Sequence, residues 1–121
     1  RAASASRRDY AEAAALALTT DELAGRTLEV GGDVAWTYDE LAEAATEVLG
    51  RPVTYTPVTI AQLTAGLEAA GLDAGTAAFV AGIDDAIARG ALSQTDGTLS
   101  RLLGRPTTPL VEGLREGIAA R

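Results

Sequence analysis

Apolar residues recur at helical spacing in five segments of the chain, and capping residues precede several of them. Thr37 with Glu40, and Thr59 with Gln62, have the spacing of capping boxes, in which each side chain accepts a hydrogen bond from the other residue's backbone N–H. Thr108, followed by a proline at the first helical position, predicts the start of the last helix. The predicted helices cover residues 8–18, Thr37 to Gly50, Thr59 to about Gly71, residues 75–89 and the segment from Thr108 onward.

The first predicted helix has a contact face made almost entirely of alanine. Ala11, Ala14, Ala15 and Leu18 fall on one side of it. Such a small, smooth apolar surface suits close packing against another element.

Two short segments have the alternating pattern of β-strands. In residues 27–30 apolar and polar side chains alternate before the Gly31-Gly32 turn. Residues 53–56 are rich in β-branched side chains and bounded by prolines. With the helix between them they predict a parallel βαβ unit with a right-handed crossover. Because two strands alone do not make a stable sheet, either they pair only with each other under helices or one extends a sheet from outside the chain. The expected class is α/β, mostly helical.

Composition and charge limit the kinds of molecule that the chain is expected to bind. Hydrophobic residues make up 47% of the 121 residues, and the formal net charge is -7. A nucleic-acid backbone would be repelled, so we expect no nucleic-acid partner. The chain has no apolar run of about 18 residues and no secretory leader pattern, so we expect no membrane association and a cytoplasmic location.

The missing residue types exclude many kinds of chemistry. The chain has no His, Cys, Lys or Met, which rules out Ser-His-Asp and Cys-His machinery, Schiff-base lysines and zinc held by Cys or His within it. The acidic residues are spaced as solvated helix faces, so we expect no metal site. The dinucleotide and P-loop glycine motifs are also absent, and Gly31-Gly32 is the only glycine pair.

One polar cluster, at residues 4–10, lies at a predicted strand-to-helix junction, a place where α/β folds present side chains to ligands. The alternative is local: Asp9 caps the helix and a neighbouring arginine forms a salt bridge. Trp36 and Tyr38 beside the glycine pair either anchor the core or line a pocket.

Three stretches, taken in order, resemble a known family. They are ASASRRDYAEAAALAL, LEVGGDVAWTYDELAEAATEVLGRPVTYTPV and GTLSRLLGRPTTPLVEGL. Together they resemble the C-terminal part of NmrA-like atypical short-chain dehydrogenases/reductases, and the nearest likeness is to the NAD(P)H:quinone oxidoreductases of that group. The closing Leu-Ser-Arg-Leu-Leu-Gly-Arg-Pro-Thr-Thr-Pro is the most specific piece.

The resemblance implies a Rossmann-like protein of roughly twice this length, whose N-terminal half binds NADP at a glycine-rich loop. Residues 1–18 would be the last strand and helix of the Rossmann domain, and residues 19–121 a substrate-binding subdomain. This accounts for the alanine face, which would need a sheet to pack against. The implied partners are the N-terminal Rossmann portion or an equivalent chain, and a quinone-like small molecule. The resemblance leaves open whether the protein forms a homodimer.

The resemblance transfers no catalytic residue and no cofactor-binding residue to this chain. By position, it places Ala5, Ser6, Arg7 and Trp36 along the substrate cleft. The leading hypothesis is the substrate-domain part of an NAD(P)H-dependent oxidoreductase that transfers hydride to a quinone-like acceptor, a part expected to be inactive alone. The alternatives are a non-catalytic NmrA-like redox-sensing regulator that binds a protein partner, and a self-sufficient helical interaction module.

Overall fold

The computed structural model describes residues 1–120, which form six α-helices joined by extended segments. The helices are α1 (Arg7–Thr19), α2 (Tyr38–Leu49), α3 (Ile60–Ala69), α4 (Ala74–Ala88), α5 (Thr98–Leu103) and α6 (Leu110–Ala119), with a single 3₁₀ turn at Asp21–Leu23. The five helices predicted from the sequence are confirmed. The short helix α5 was not predicted. It lies between two glycines in the left-handed conformation, Gly97 and Gly104, which set its length.

The helix starts agree with the sequence at two places and differ at two. Both predicted capping boxes, at the starts of α2 and α3, are present. In α1, however, Ser6 is the N-cap and Asp9 lies within the first turn, so Asp9 is free to bond elsewhere. At α6 the helix follows Pro109 without a side-chain cap, and Thr108 is engaged by Asp9 instead.

The predicted βαβ unit is wrong, because residues 1–120 contain no β-ladder. Residues 27–30 are extended but have no strand beside them. In the second segment the Val53 N–H donates to Thr46 Oγ1 at 2.9 Å and its carbonyl accepts from the same hydroxyl at 3.3 Å. A strand requires a neighbouring backbone about 4.8 Å away to receive its hydrogen bonds, and neither segment has one here. The one bridge among these residues is antiparallel and joins Ala2 to Trp36.

The helices pack in pairs around a core of small side chains. Helix α3 packs on α4, α2 on α6, and α1 on α5. The buried apolar residues are Ala2, Ala3, Ala13, Ala44, Ala77, Ala81 and Leu99. No helix within residues 1–120 has the combination of length and apolarity that crossing a bilayer requires.

Much apolar surface stays exposed. Leu18 is 88% exposed, and Val34 and Phe79 are each 70% exposed. The alanines of the predicted α1 contact face are also exposed, while Ala13 of the same helix is buried. The chain exposes 8162 Å², whereas a compact monomer of this mass exposes about 6,100 Å². These helices therefore leave uncovered a surface that a self-contained domain of this size would bury.

Candidate functional site

The junction between the N-terminal extended segment and α1 forms one wall of a cleft. Ser6 holds the start of α1, since its hydroxyl accepts a hydrogen bond from the Asp9 N–H at 3.0 Å. The Ala5 N–H donates to the Tyr10 hydroxyl at 3.2 Å. These two bonds fix the backbone of residues 5–7, while the Arg7 side chain remains exposed.

Trp36 is tied to the same junction although it lies some thirty residues away in sequence. Its backbone N–H and carbonyl pair with Ala2 at 3.1 and 2.9 Å. Its indole Nε1 donates to Ser4 Oγ at 3.1 Å. The indole is therefore positioned by hydrogen bonds at both its backbone and its ring.

All four residues predicted to line a substrate cleft lie around one cavity. Ala5, Ser6, Arg7 and Trp36 line a cleft of about 280 Å³. Its other lining residues are Ser4, Leu41, Thr108, Pro109, Leu110, Gly113 and Leu114. A second cleft, of about 420 Å³, adjoins it and shares Ser4, Trp36 and residues 108–110. The combined lining is mainly apolar with a few polar groups, as in most small-molecule sites.

Asp9 fixes the opposite wall of the cleft. Its side chain is fully buried, and it accepts hydrogen bonds from the Thr108 N–H at 2.9 Å and the Thr108 hydroxyl at 3.0 Å. The Arg105 guanidinium lies 2.9 Å from Asp9 Oδ1 and also binds Glu12 at 2.6 Å. Burial alone would raise the pKa of Asp9. The hydrogen bonds from the Thr108 backbone, Arg105 and the Ser6 and Thr108 hydroxyls outweigh it and lower the pKa from 3.8 to about 2.

A second carboxylate, that of Asp33, holds Thr107, the residue that precedes Thr108. The Asp33 N–H donates to Thr107 Oγ1 at 3.1 Å, and the Thr107 N–H donates to Asp33 Oδ2 at 2.8 Å. The bond from the Thr107 backbone is the main cause of a lowered pKa at Asp33. Asp9 and Asp33 thus anchor adjacent threonines, and with them the Pro109-Leu110 wall.

Sequence reasoning missed the roles of both carboxylates. The two alternatives for residues 4–10 were side chains presented to a ligand and a local arrangement in which Asp9 caps the helix and an arginine forms a salt bridge nearby; Asp33 was given no role. The arginine that binds Asp9 is Arg105, far along the chain. Thr108 lies 99 positions from Asp9 and Thr107 lies 74 positions from Asp33, so no local spacing pattern signals either contact.

A row of three aromatic rings extends from the cleft, joined by two contacts. Trp36 meets Tyr38 edge to face, with ring centroids 6.2 Å apart, and Tyr38 stacks on Tyr55 at 5.3 Å. The Tyr38 hydroxyl donates to Asp84 on α4. This hydrogen bond, with burial and the negative charge of Asp84, raises the pKa of Tyr38 to about 12. Trp36 and Tyr38 are therefore both packing anchors, and each lines a cavity as well: Trp36 the two clefts described above, and Tyr38 a separate one of about 660 Å³.

The described residues do not fit the phosphates of a dinucleotide. A Cβ on Gly31 would lie 2.4 Å from the Gln94 carbonyl oxygen, and one on Gly32 would lie 2.3 Å from the Ser4 carbonyl oxygen. The only glycine pair therefore serves close packing of the chain on itself rather than a phosphate cradle. Within residues 1–120, no group of three His, Cys, Asp or Glu side chains comes together as a metal site.

The chemistry available in the cleft is binding and orientation. Asp9 has all its oxygens engaged and a pKa of about 2, so it is an anion at neutral pH and a poor proton donor. The indole of Trp36 offers a stacking surface, and Ser6 and Arg7 offer hydroxyl and guanidinium groups. The cleft suits a flat ring with polar substituents.

Comparison with known proteins gives no matching family model but clear relatives. The chain is 40% identical over 112 residues to quinone oxidoreductase 2 of Escherichia coli K12, a match that covers 93% of this chain and 39% of that protein. The crystal structure of the E. coli NADPH-dependent quinone oxidoreductase with NADPH superimposes with a TM-score of 0.89 at 38% identity, over 97% of this chain and 41% of that one.

A second structural relative is the Citrobacter triphenylmethane reductase complexed with NADP(H). It superimposes with a TM-score of 0.84 at 34% identity, over 95% of this chain and 40% of that one. The chain thus spans about two fifths of the length of the relatives it matches. Sequence and fold agree with the resemblance of the three stretches, and they identify the chain as a homologue of the C-terminal part of the NmrA-like short-chain dehydrogenases/reductases that include quinone oxidoreductases.

Proposed function

We propose that this chain forms the acceptor side of an NAD(P)H-dependent oxidoreductase that reduces a quinone-like compound. The observation that carries the proposal is the cleft itself, in which Ala5, Ser6, Arg7 and Trp36 meet beside apolar walls. Among the relatives that match this chain along more than nine tenths of its length are the E. coli quinone oxidoreductase 2 and the crystal structure of an E. coli NADPH-dependent quinone oxidoreductase.

In this proposal the dinucleotide is bound by another part of the polypeptide, because the described residues do not form a phosphate cradle. When bound there, a reduced nicotinamide supplies hydride. The residues of this chain bind the acceptor: Trp36 stacks against its ring, and the walls held by Asp9 and Asp33 keep it in one orientation and exclude water. Positioning of donor and acceptor is then the chain's contribution to the rate.

The uncovered surface supports the domain arrangement that the family resemblance implies. Residues 1–18 would complete a Rossmann-like domain, and residues 19–121 would form the acceptor-binding subdomain. The exposed alanine face of α1, with Leu18 at its end, fits packing on a sheet supplied by the remaining polypeptide. The excess exposed area is about 2,000 Å², close to what one partner of a large permanent interface buries.

The direct test is NADPH oxidation by the complete protein that contains this chain, with menadione as acceptor. We expect NADPH absorbance to fall only when menadione is present. Trp36→Leu should raise the KM for menadione and leave the dissociation constant of NADPH unchanged, because in this proposal the indole stacks on the acceptor and does not touch the dinucleotide. NADPH binding without any acceptor reduction would refute the enzyme and favour the redox-sensing regulator.

A second test uses the 121-residue chain by itself. Titration with NADPH should give no measurable binding, since residues 1–120 form no cradle for its phosphates. Micromolar affinity of the isolated chain would contradict the assignment of the dinucleotide site to another part of the protein.

A further inference from the structure

Arginine is the only cationic side chain in this 121-residue sequence, and most of its arginines bind partners within the chain. Six of the nine in residues 1–120 bind carboxylates, carbonyls or hydroxyls: Arg1, Arg8, Arg89, Arg101, Arg105 and Arg115. The side chains of Arg7, Arg26 and Arg51 make no hydrogen bond or ion pair within that described part of the chain. Of these three, only Arg7 lines a cavity beside Trp36.

Arg7 is also the only charged residue among the described residues that line its cleft. The other lining residues are neutral, and the adjacent Arg8 is directed to Glu116 on α6, with 3.8 Å between the charged atoms. In a chain with a net charge of -7, a guanidinium without a partner among residues 1–120, beside an indole, is a local positive centre. Contact with a bound ring would displace water from it and strengthen its attraction for an anion.

The adjoining cleft has the opposite charge. Asp33 and Glu40 line it, and both carboxylates are held in place, Asp33 by Thr107 and Glu40 by the Thr37 N–H at 2.7 Å. Because Trp36 lines both clefts, a flat molecule stacked on the indole lies in a field that is positive toward Arg7 and negative toward Asp33. This field favours one orientation of a ligand with an acidic substituent.

We infer that Arg7 makes the cleft selective for planar acceptors that carry a negatively charged group, such as a sulfonate or a carboxylate on a quinone ring. The guanidinium forms a charge-assisted hydrogen bond with that group while Trp36 stacks on the ring. This inference rests on the proposed function for the identity of the ligand as a quinone, but binding through Arg7 is measurable without turnover.

The experiment measures ligand binding to the complete protein by the quenching of Trp36 fluorescence. The Trp36 signal is the part of the quenching that disappears in the Trp36→Phe variant. The probes are menadione, which is neutral, and naphthoquinone sulfonate, which is an anion. Arg7→Gln should weaken sulfonate binding about fivefold, the effect of one partly exposed charge pair, and leave menadione binding within about twofold. Arg7→Lys should retain most of the sulfonate affinity. The matched control is Arg26→Gln, which removes an exposed, unpaired arginine away from the cleft and should change neither affinity.

Equal losses for both probes in Arg7→Gln, or no loss for the sulfonate, overturn the inference. So does a sulfonate affinity of the wild type that does not fall with added salt. A protein that reduces both quinones without any dependence on Arg7 leaves the proposed function standing and refutes the role of Arg7. A protein that binds the sulfonate through Arg7 and reduces neither quinone refutes the proposed function and leaves the role of Arg7 standing.

Discussion

Replacement of Asp9 by asparagine tests how the cleft wall is held. The asparagine side chain keeps the volume but turns one accepting oxygen into an NH₂ group that only donates. Asp9 accepts from the Thr108 N–H on Oδ2, and from the Thr108 hydroxyl and Arg105 on Oδ1. At least one of these donors therefore loses its acceptor in a fully buried place.

The size of the effect can be worked out in two ways, both of which depend on the hydrogen bonds that Asp9 accepts. A hydrogen bond to a charged group contributes about 1.5–3 kcal/mol. The displacement of the Asp9 pKa from 3.8 to about 2 corresponds to about 2 kcal/mol. Arg105 keeps Glu12 as a partner and is 37% exposed, so its charge is not left buried and unpaired. We therefore expect Asp9→Asn to lower the free energy of unfolding by about 2–3 kcal/mol.

The assay is urea unfolding of the complete protein, followed by circular dichroism, with Glu12→Gln as the matched control. Glu12 binds the same arginine at the surface, so its loss should cost less than about 1 kcal/mol. An Asp9→Asn loss below about 0.5 kcal/mol, or a loss equal to that of Glu12→Gln, refutes the reasoning.

The contribution of Asp9 to the free energy of unfolding should also depend on pH, in a direction that its lowered pKa fixes. The folded-state pKa of Asp9 is lowered, so its contribution is complete above the unfolded-state value of 3.8 and disappears as the pH falls toward about 2. About 1 kcal/mol of it should be lost by pH 3. The difference between wild type and Asp9→Asn should therefore be constant from pH 7 to pH 5 and shrink below pH 4. A difference that grows on acidification contradicts the assignment.

Two further predictions concern packing. Tyr38→Phe removes the bond to Asp84 and should destabilise the protein by about 1–2 kcal/mol. Since the pKa of Tyr38 is raised to about 12, its contribution is complete below pH 10 and lost toward pH 12, and the wild-type minus variant absorbance of phenolate should titrate near pH 12. Gly32→Ala places a Cβ 2.3 Å from the Ser4 carbonyl oxygen and should lower the unfolding midpoint strongly. The control, Gly66→Ala in the open face of α3, should be neutral or stabilising by up to about 1 kcal/mol; equal effects of the two alanines would contradict the packing argument.

The parts of the fold that were predictable are those with local signals. The capping boxes at Thr37 and Thr59 depend on residues three positions apart, so the sequence shows both partners together. The placement of Ala5, Ser6, Arg7 and Trp36 around one cleft came from the resemblance to a family, not from periodicity. Nothing in the residues between them indicates that the indole Nε1 reaches Ser4.

The wrong βαβ prediction has an equally physical cause. Residues 53–56 have the alternation of a strand, but alternation reports only which side chains share a face. Whether a strand forms depends on a neighbouring backbone, and here Thr46 takes both hydrogen bonds of Val53 instead. The β-strand propensity of residues 53–56 is real, but propensity does not say which backbone a strand pairs with.

The amino-acid sequence by itself determined the starts of α2 and α3, the negative charge and the range of chemistry open to the chain, because these depend on residue type and on spacing within a few residues. Only the tertiary structure decided what Asp9 does. Its partners Arg105 and Thr108 lie at the far end of the chain, and their contact depends on how α1 packs against α5. A buried carboxylate must find donors or it will not remain charged, and the donors it finds are set by packing in three dimensions rather than by sequence spacing.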